Sequence, residues 1–322
     1  ILLLCISFNR LFAHHFAVPT NADSVYITAF LIYFLLLPPD GDWSRFVVEV
    51  LIVTTVAIGS KYLIVKEKKH IFNPTALGFV ASALILGVSA SWWVSGDWRL
   101  IVLLIAGGIL IVRKLRHSDL FFAFLATYLL ITLLVPIFQN GVFDFTFFKH
   151  LILSPLSFFA FFMLTEPLTT PPGRRLRIVY GAIAGALYGG SMYMGSLFAS
   201  PEVVLVLANL FSFAVSPKYR LVLRLIGKRV LAEGVYEYIW KSDRQFSFQP
   251  GQYLEWTLPT AKTDNRGNRR FFTIASSPTE KEVRLGVKFY DQQSTFKKGL
   301  SNFNVGDTLV ASQLSGDFVM PR

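Results

Sequence analysis

Of 322 residues, 53% are hydrophobic, 31 are Phe and only 16% are charged, against about 25% charged in an ordinary soluble domain, so a chain that is soluble throughout is excluded. The formal net charge of +11 would suit nucleic acid, but Lys and Arg are grouped in short joints between apolar stretches. Membrane topology places them there, and a nucleic-acid partner is set aside. Cys5 is the single cysteine, which excludes an intramolecular disulfide and a thiolate cluster of iron-sulfur or zinc type, and no metal site is expected.

The chain opens on Ile1 within an apolar run and stops at Met320-Pro321-Arg322, and we read it as a piece of a longer protein. Apolar windows, matched against the roughly 20 residues that cross a bilayer, give spans near 24–38, 45–65, 74–95, 98–112, 118–138, 146–165, 177–199 and 201–216. Basic joints follow every second span: Lys61, Lys66, Lys68 and Lys69; then Arg113, Lys114 and Arg116; then Arg174, Arg175 and Arg177; then Lys218 and Arg220. The intervening joints contain Arg45, Arg99 and Lys149 only. By the positive-inside rule the basic joints, and everything after Pro217, are cytoplasmic. Trp43, Trp92, Trp93 and Trp98 fall at the opposite joints, where amphipathic rings prefer the interface. The expected location is the cell membrane, as a multi-pass protein in contact with the lipid bilayer.

Two cytoplasmic joints combine Pro with side chains able to satisfy the backbone groups that Pro leaves open: His70-Ile71-Phe72-Asn73-Pro74-Thr75-Ala76, and Thr165-Glu166-Pro167 continuing to Arg175. Each reads equally as a capped, solvated loop or as a cofactor or ion site, with Glu166 the carboxylate to watch. Gly181, Gly185, Gly189, Gly190 and Gly195 line the seventh span with small residues, fit for close approach of a helix or of a flat cofactor. A haem relay needs paired axial His facing each other across two helices. His14, His15, His70, His117 and His150 offer no such pairing.

The run from His70 to Phe79, the joint from Thr165 to Arg175, and the segment from Ser200-Pro201-Glu202 to Ser216-Pro217 resemble the membrane subunits of the Rnf and sodium-pumping NADH:quinone reductase complexes. The resemblance covers most of residues 1–217. Members of that family carry FMN linked to a Thr in a Ser-Gly-Ala-Thr type motif. Here the Ser-Gly pairs are Ser95-Gly96 and Ser315-Gly316, each followed by Asp. The covalent motif is therefore absent, and a non-covalent FMN in the membrane half stays open.

From Tyr219 the pattern changes to short strands: Leu221 to Ile226, Gly234 to Trp240, Gln252 to Leu258, Arg270 to Ala275, Val283 to Phe289 and Thr308 to Gln313. Turn signals separate them at Pro250-Gly251, Asn265-Arg266-Gly267 and Val305-Gly306-Asp307. With one helical stretch near Phe296 to Asn302, the spacing predicts a small closed antiparallel barrel.

Arg270-Phe271-Phe272-Thr273, preceded by Pro250-Gly251-Gln252-Tyr253, resembles the flavin-binding R-x-Y-S motif of the ferredoxin-NADP reductase family, over about Leu221 to Met320. The resemblance implies a six-stranded Greek-key FAD-binding barrel. It assigns Arg270 to the FAD pyrophosphate, Phe272 (where the family has Tyr) to stacking on the isoalloxazine, and Thr273 to the N5 edge as the catalytic hydroxyl. Ile274, from the same motif, and Val287 and Lys288, from the Gly286 to Tyr290 strand, complete the flavin contacts. Ser294 and Thr295 are expected to make a second phosphate contact at the start of the short helix, with Ser294 as only a helix cap the lesser alternative. In the family a nicotinamide-binding domain follows a segment matching Ser315-Gly316-Asp317-Phe318, and no Gly-rich dinucleotide loop is present here.

These readings combine into an α-helical polytopic membrane domain over 1–217 and an all-β FAD-binding barrel over 218–322. The expected function is transfer of electrons from NAD(P)H through FAD to an unknown acceptor in or across the membrane. The alternatives are a small-solute or ion transporter with a flavin redox-sensing domain, and a structural anchor for a soluble reductase.

Overall fold

The computed structural model describes residues 1–18, 22–39, 41–67, 69–140, 154–191, 200–259, 264, 267–316 and 318–319. Residues 146–153 of the expected span at 146–165 and 192–199 of that at 177–199, together with Lys68, Asn265, Arg266 and Asp317, lie outside the described residues, and so do Lys149, His150 and Gly195. The backbone clusters into two compact units. One comprises Ile1–Phe12, Ser24–Val65 and His70–Ser216, the other Ala13–Asp23, Lys66–Lys69 and Pro217–Arg322.

The first unit is helical. In chain order its described helices are α1 (Leu2–His15), α2 (Ala22–Leu35), α3 (Trp43–Leu63), α4 (Pro74–Leu86), α5 (Trp93–Gly96), α6 (Trp98–Leu115), α7 (Ser118–Asn140), α8 (Pro155–Phe158), α9 (Arg174–Ser191) and α10 (Pro201–Val215). Two stretches, Trp43–Leu63 and Ser118–Phe138, are long and apolar enough to cross a membrane, whereas α2, α4 and α10 are apolar but shorter. The span expected at 74–95 is broken. Helix α4 ends where Gly87 takes a left-handed φ of 68°, and a separate turn, α5, begins beyond Trp92. The end of the 146–165 window is also irregular, because α8 runs into a π-helical turn at Phe159–Met163. Helix α1, not among the expected spans, carries Asn9, Arg10, His14 and His15 in an otherwise apolar run.

Two side chains expected at membrane faces are engaged inside the unit. Trp92 is buried and its Nε1 donates to Glu202 at 3.2 Å, unlike exposed Trp43 and Trp98. Arg177, counted among the basic joints, is buried on the first turns of α9 and makes a two-pronged ion pair with Asp119 of α7, at 3.2 and 2.7 Å. A lone Trp or Arg in the sequence does not reveal that a carboxylate far along the chain will meet it.

Glycines explain how α9 lies on α7. A Cβ at Gly181 would meet the Leu120 carbonyl oxygen, one at Gly185 the Phe124 carbonyl oxygen, and one at Gly189 the Ile131 side chain. The small-residue stripe therefore serves backbone-to-backbone helix packing.

The second unit contains a six-stranded antiparallel sheet. Two-residue strands β1 (Val65–Lys66) and β2 (Lys69–His70) pair separately. The sheet itself is made of β3 (Arg220–Ala232), β4 (Val235–Ser242), β5 (Tyr253–Thr257), β6 (Arg269–Thr273), β7 (Val283–Lys288) and β8 (Thr308–Ser315), in the order β6-β5-β8-β3-β4-β7. Alternation fixes the inner face: Leu221, Leu223 and Leu225 are buried while Arg220 and Arg224 are exposed. Glu233-Gly234 joins β3 to β4, with Ala232 opposite Val235 and Gly234 at φ 68°, a conformation that a tight hairpin connection requires and glycine tolerates. The edges β6 and β7 are not joined by a ladder. They meet just beyond β6, where the Ala275 N–H donates to the Arg284 carbonyl at 2.9 Å and the Arg284 N–H to Ser276 Oγ at 3.2 Å. The sheet is curled, with a seam in place of the expected full closure. Pro278, which has no N–H to donate, lies in the link between these two strands.

Inside the curl, Trp240, Trp256, Leu254, Leu285 and Phe296 form the core. Tyr238 is fully buried there with no hydrogen-bond partner for its hydroxyl among the described residues. Burial, reinforced by neighbouring Tyr236, pushes its phenol up to about 12. Removing an unpaired buried hydroxyl relieves a desolvation penalty, so Tyr238→Phe is expected to stabilise the protein by about 1 kcal/mol. Thermal unfolding of the purified protein, followed by tryptophan fluorescence, checks this.

Candidate functional site

Strand β6 sorts its side chains by the period of two. Arg270 and Phe272 share one face, half-buried, while Arg269, Phe271 and Thr273 are exposed on the other. Helix α11 (Thr295–Ser301) lies against the first of these faces. The Phe272 and Phe296 rings are 5.6 Å apart, and the Arg270 guanidinium sits 5.7 Å from the Phe296 ring centroid. Phe296 earns its place as the buried anchor of a short capped helix, and no sequence motif marks it.

The Arg270 guanidinium is held on several sides. Its Nη1 donates to the carbonyls of Gly267 at 3.1 Å and Arg269 at 2.6 Å. Its Nη2 donates to both carboxylate oxygens of Asp264, at 2.8 and 2.7 Å. Thr295 reaches the same residue, since its Oγ1 accepts the Asp264 backbone N–H at 3.0 Å. Of the predicted flavin contacts, Arg270 and Thr295 therefore meet at Asp264, a residue that sequence reasoning passed over, and Arg270 and Phe272 share the Phe296 ring. The signal available for Asp264 was an acidic side chain separated from Arg270 by a turn containing Gly267.

The remaining predicted contacts are placed differently. Ser294 is the N-cap of α11, accepting from Lys297 N–H at 3.3 Å. Ile274 and Val287 are buried in the core, and Ile274 N–H donates to the Gln252 carbonyl at 3.0 Å. Thr273 is exposed, paired across the ladder with Tyr253. Lys288 is exposed on edge strand β7, its Nζ 5.3 Å from the Tyr290 ring, with Lys297 Nζ 5.1 Å from the same ring. A separate cavity of about 350 Å³, walled by Tyr219, Phe248, Gln249, Gln252 and Leu314, includes none of the predicted contacts.

In the helical unit the two Pro-containing joints meet. Asn73 caps α4 by accepting from Ala76 N–H at 3.0 Å, with Pro74 in the first turn. Its Nδ2 donates to Glu166 Oε2 at 2.7 Å, and Thr169 Oγ1 donates to the same oxygen at 3.2 Å. Asn209 of α10 closes the cluster, accepting from Asn73 N–H at 2.8 Å and donating to the Tyr180 hydroxyl at 2.9 Å. The Glu166 carboxylate is thus held by protein donors where two helix interruptions converge.

No curated protein matches the chain. Among solved structures, the C-terminal region is similar to the Amycolatopsis cytochrome P450 reductase GcoB, at 22% identity and a TM-score of 0.29 over 32% of this chain and 30% of that one. It is also similar to the ferredoxin-NADP+ reductase from Plasmodium falciparum with 2'P-AMP, at 20% identity and a TM-score of 0.28 over 32% and 42%. A third is the flavohem-like FAD/NAD binding domain of nitric oxide dioxygenase from Vibrio cholerae O1 biovar El Tor, at 18% identity and a TM-score of 0.27 over 32% and 46%. This chain spans less than half the length of each of the three. In the other half, residues 81–216 match the model of the NQR2, RnfD, RnfE family.

Proposed function

We propose that this chain is the membrane-bound part of a flavoprotein oxidoreductase that takes electrons from NAD(P)H through FAD to an acceptor in or across the membrane. On this reading residues 1–217 form the multi-spanning domain, and residues 218–322 form a Greek-key flavin barrel on the cytoplasmic side. The membrane setting is supported by the family match over residues 81–216 and by two helices of spanning length. The flavin reading is carried by one observation: Arg270 and Phe272 share one face of β6 beside Phe296, and Thr295 meets Arg270 through Asp264, whose carboxylate the guanidinium grips.

The residue chemistry fits the coenzyme. A guanidinium is always charged and presents a fork of donors suited to phosphate oxygens, so Arg270 would hold the diphosphate. Phe272 offers a ring face to the isoalloxazine, and Thr273 offers a hydroxyl from the opposite, exposed face of the strand. Bound FAD supplies the conversion between hydride and single-electron transfer. NAD(P)H as donor, a nicotinamide domain outside residues 1–322 and the nature of the acceptor are parts of this proposal.

A second reading, a solute or ion transporter carrying a redox sensor, is favoured by the Glu166 carboxylate at converging helix interruptions. One experiment separates the two. Detergent-purified protein titrated with FAD is expected to saturate at about one flavin per chain, and the reduced flavin is expected to reoxidise anaerobically when a membrane-soluble quinone is added. Failure to bind FAD overturns the flavin reading. Tight binding without reoxidation favours the sensor.

A further inference from the structure

Arg270 is the hinge of the flavin reading, and its guanidinium already has an anion. Both carboxylate oxygens of Asp264 accept from Nη2, and the pair is largely shielded, with side-chain exposures of 15% for Arg270 and 28% for Asp264. Asp264 is also fixed through its backbone. Its N–H donates to Thr295 Oγ1, and its carbonyl accepts the Gly267 N–H at 2.9 Å, with Gly267 at φ 71°. Two of the three side chains expected to hold phosphate, Arg270 from β6 and Thr295 from the start of α11, therefore hold the same aspartate.

To a guanidinium, a carboxylate and a phosphate present the same face: two anionic oxygens matching the fork. Resting on the FAD reading, we infer that Asp264 is an internal competitor for the diphosphate-binding position of this site. Its carboxylate stands where a phosphate of the coenzyme would bind, and entry of the coenzyme exchanges one anion for the other. Arg270 then keeps a counter-charge throughout, and its Nη1 bonds to the Gly267 and Arg269 carbonyls keep the guanidinium plane in place. The carboxylate that leaves goes to water, so coenzyme affinity is lowered by whatever the Asp264–Arg270 pair contributes.

Asp264→Asn keeps the size and the backbone N–H while removing the charge. FAD binding to the detergent-purified full chain, followed by quenching of flavin fluorescence, is expected to tighten by about tenfold in this variant. Asp264→Glu, which keeps the charge, is expected to bind within about twofold of the unsubstituted protein. If Asp264→Asn binds FAD equally or more weakly while Arg270→Ala abolishes binding, the flavin site stands and the competitor inference is overturned, Asp264 being then a residue that positions Arg270. If no variant binds FAD, the flavin reading itself falls and the inference with it. If only Asp264→Asn binds, the inference holds in its strongest form.

Discussion

Arg270→Ala is expected to lower FAD affinity by about 100-fold or more, so that the protein purifies without the visible absorbance of bound flavin. Truncating one partner of a shielded, hydrogen-bonded charge pair costs roughly 2–5 kcal/mol, and each 1.4 kcal/mol is a tenfold change in affinity. Arg270 meets the conditions for an effect of that size. Its side chain is only 15% exposed, it is oriented by two backbone carbonyls, and it lies beside the Phe296 ring. Arg270→Lys keeps the charge but loses the fork, and an intermediate loss is expected. Equilibrium dialysis with FAD gives the number. Full retention of flavin by the alanine variant would remove Arg270 from the site.

The largest expected effect on stability belongs to the helical unit. Asp119→Ala is expected to destabilise the protein by about 3–5 kcal/mol, because it leaves the Arg177 guanidinium in a buried position without its carboxylate. Arg177 and Asp119 have side-chain exposures of 7% and 10%, and the pair joins the first turns of α9 and α7 through two hydrogen bonds. Thermal denaturation of detergent-solubilised protein, monitored by circular dichroism, measures the loss. Replacing both residues by apolar ones of similar volume is expected to recover much of it, since a buried ion pair costs desolvation that apolar packing does not. A single variant as stable as the parent would mean that water reaches the pair.

The sheet was easier to read in the sequence than the helical half. Each expected strand lies within a few residues of an observed one, because alternation of Leu with Arg or Lys along β3 and Gly at the turns are local signals. The strand order, with β8 between β5 and β3, was not legible, since pairing between distant strands is non-local. Hydropathy windows failed where interruption depends on backbone detail: Gly87 stops α4 in the middle of an apolar window, and the turn at Phe159–Met163 is π-helical without a breaker residue.

The candidate site divides in the same way. Arg270 and Phe272 were named through the resemblance to the R-x-Y-S motif, and the period of two puts them on one face of β6. Asp264 and Phe296 were not, since a salt bridge across a turn and a ring brought in by a helix are decided by tertiary packing. The Pro-containing joints stood out as unusual. That Asn73 and Glu166 would bond directly, with Asn209 closing the cluster from 136 residues beyond Asn73, has no local trace.

The glycine stripe of α9 has a mechanical corollary. With Gly181 and Gly185 set against carbonyl oxygens of α7, rotation or sliding of either helix on the other brings backbone into collision. The pair behaves as a plank. Among the described residues, bending of the helical unit is then left to breaks outside this pair, such as the left-handed stop at Gly87 and the wide turn at Phe159–Met163.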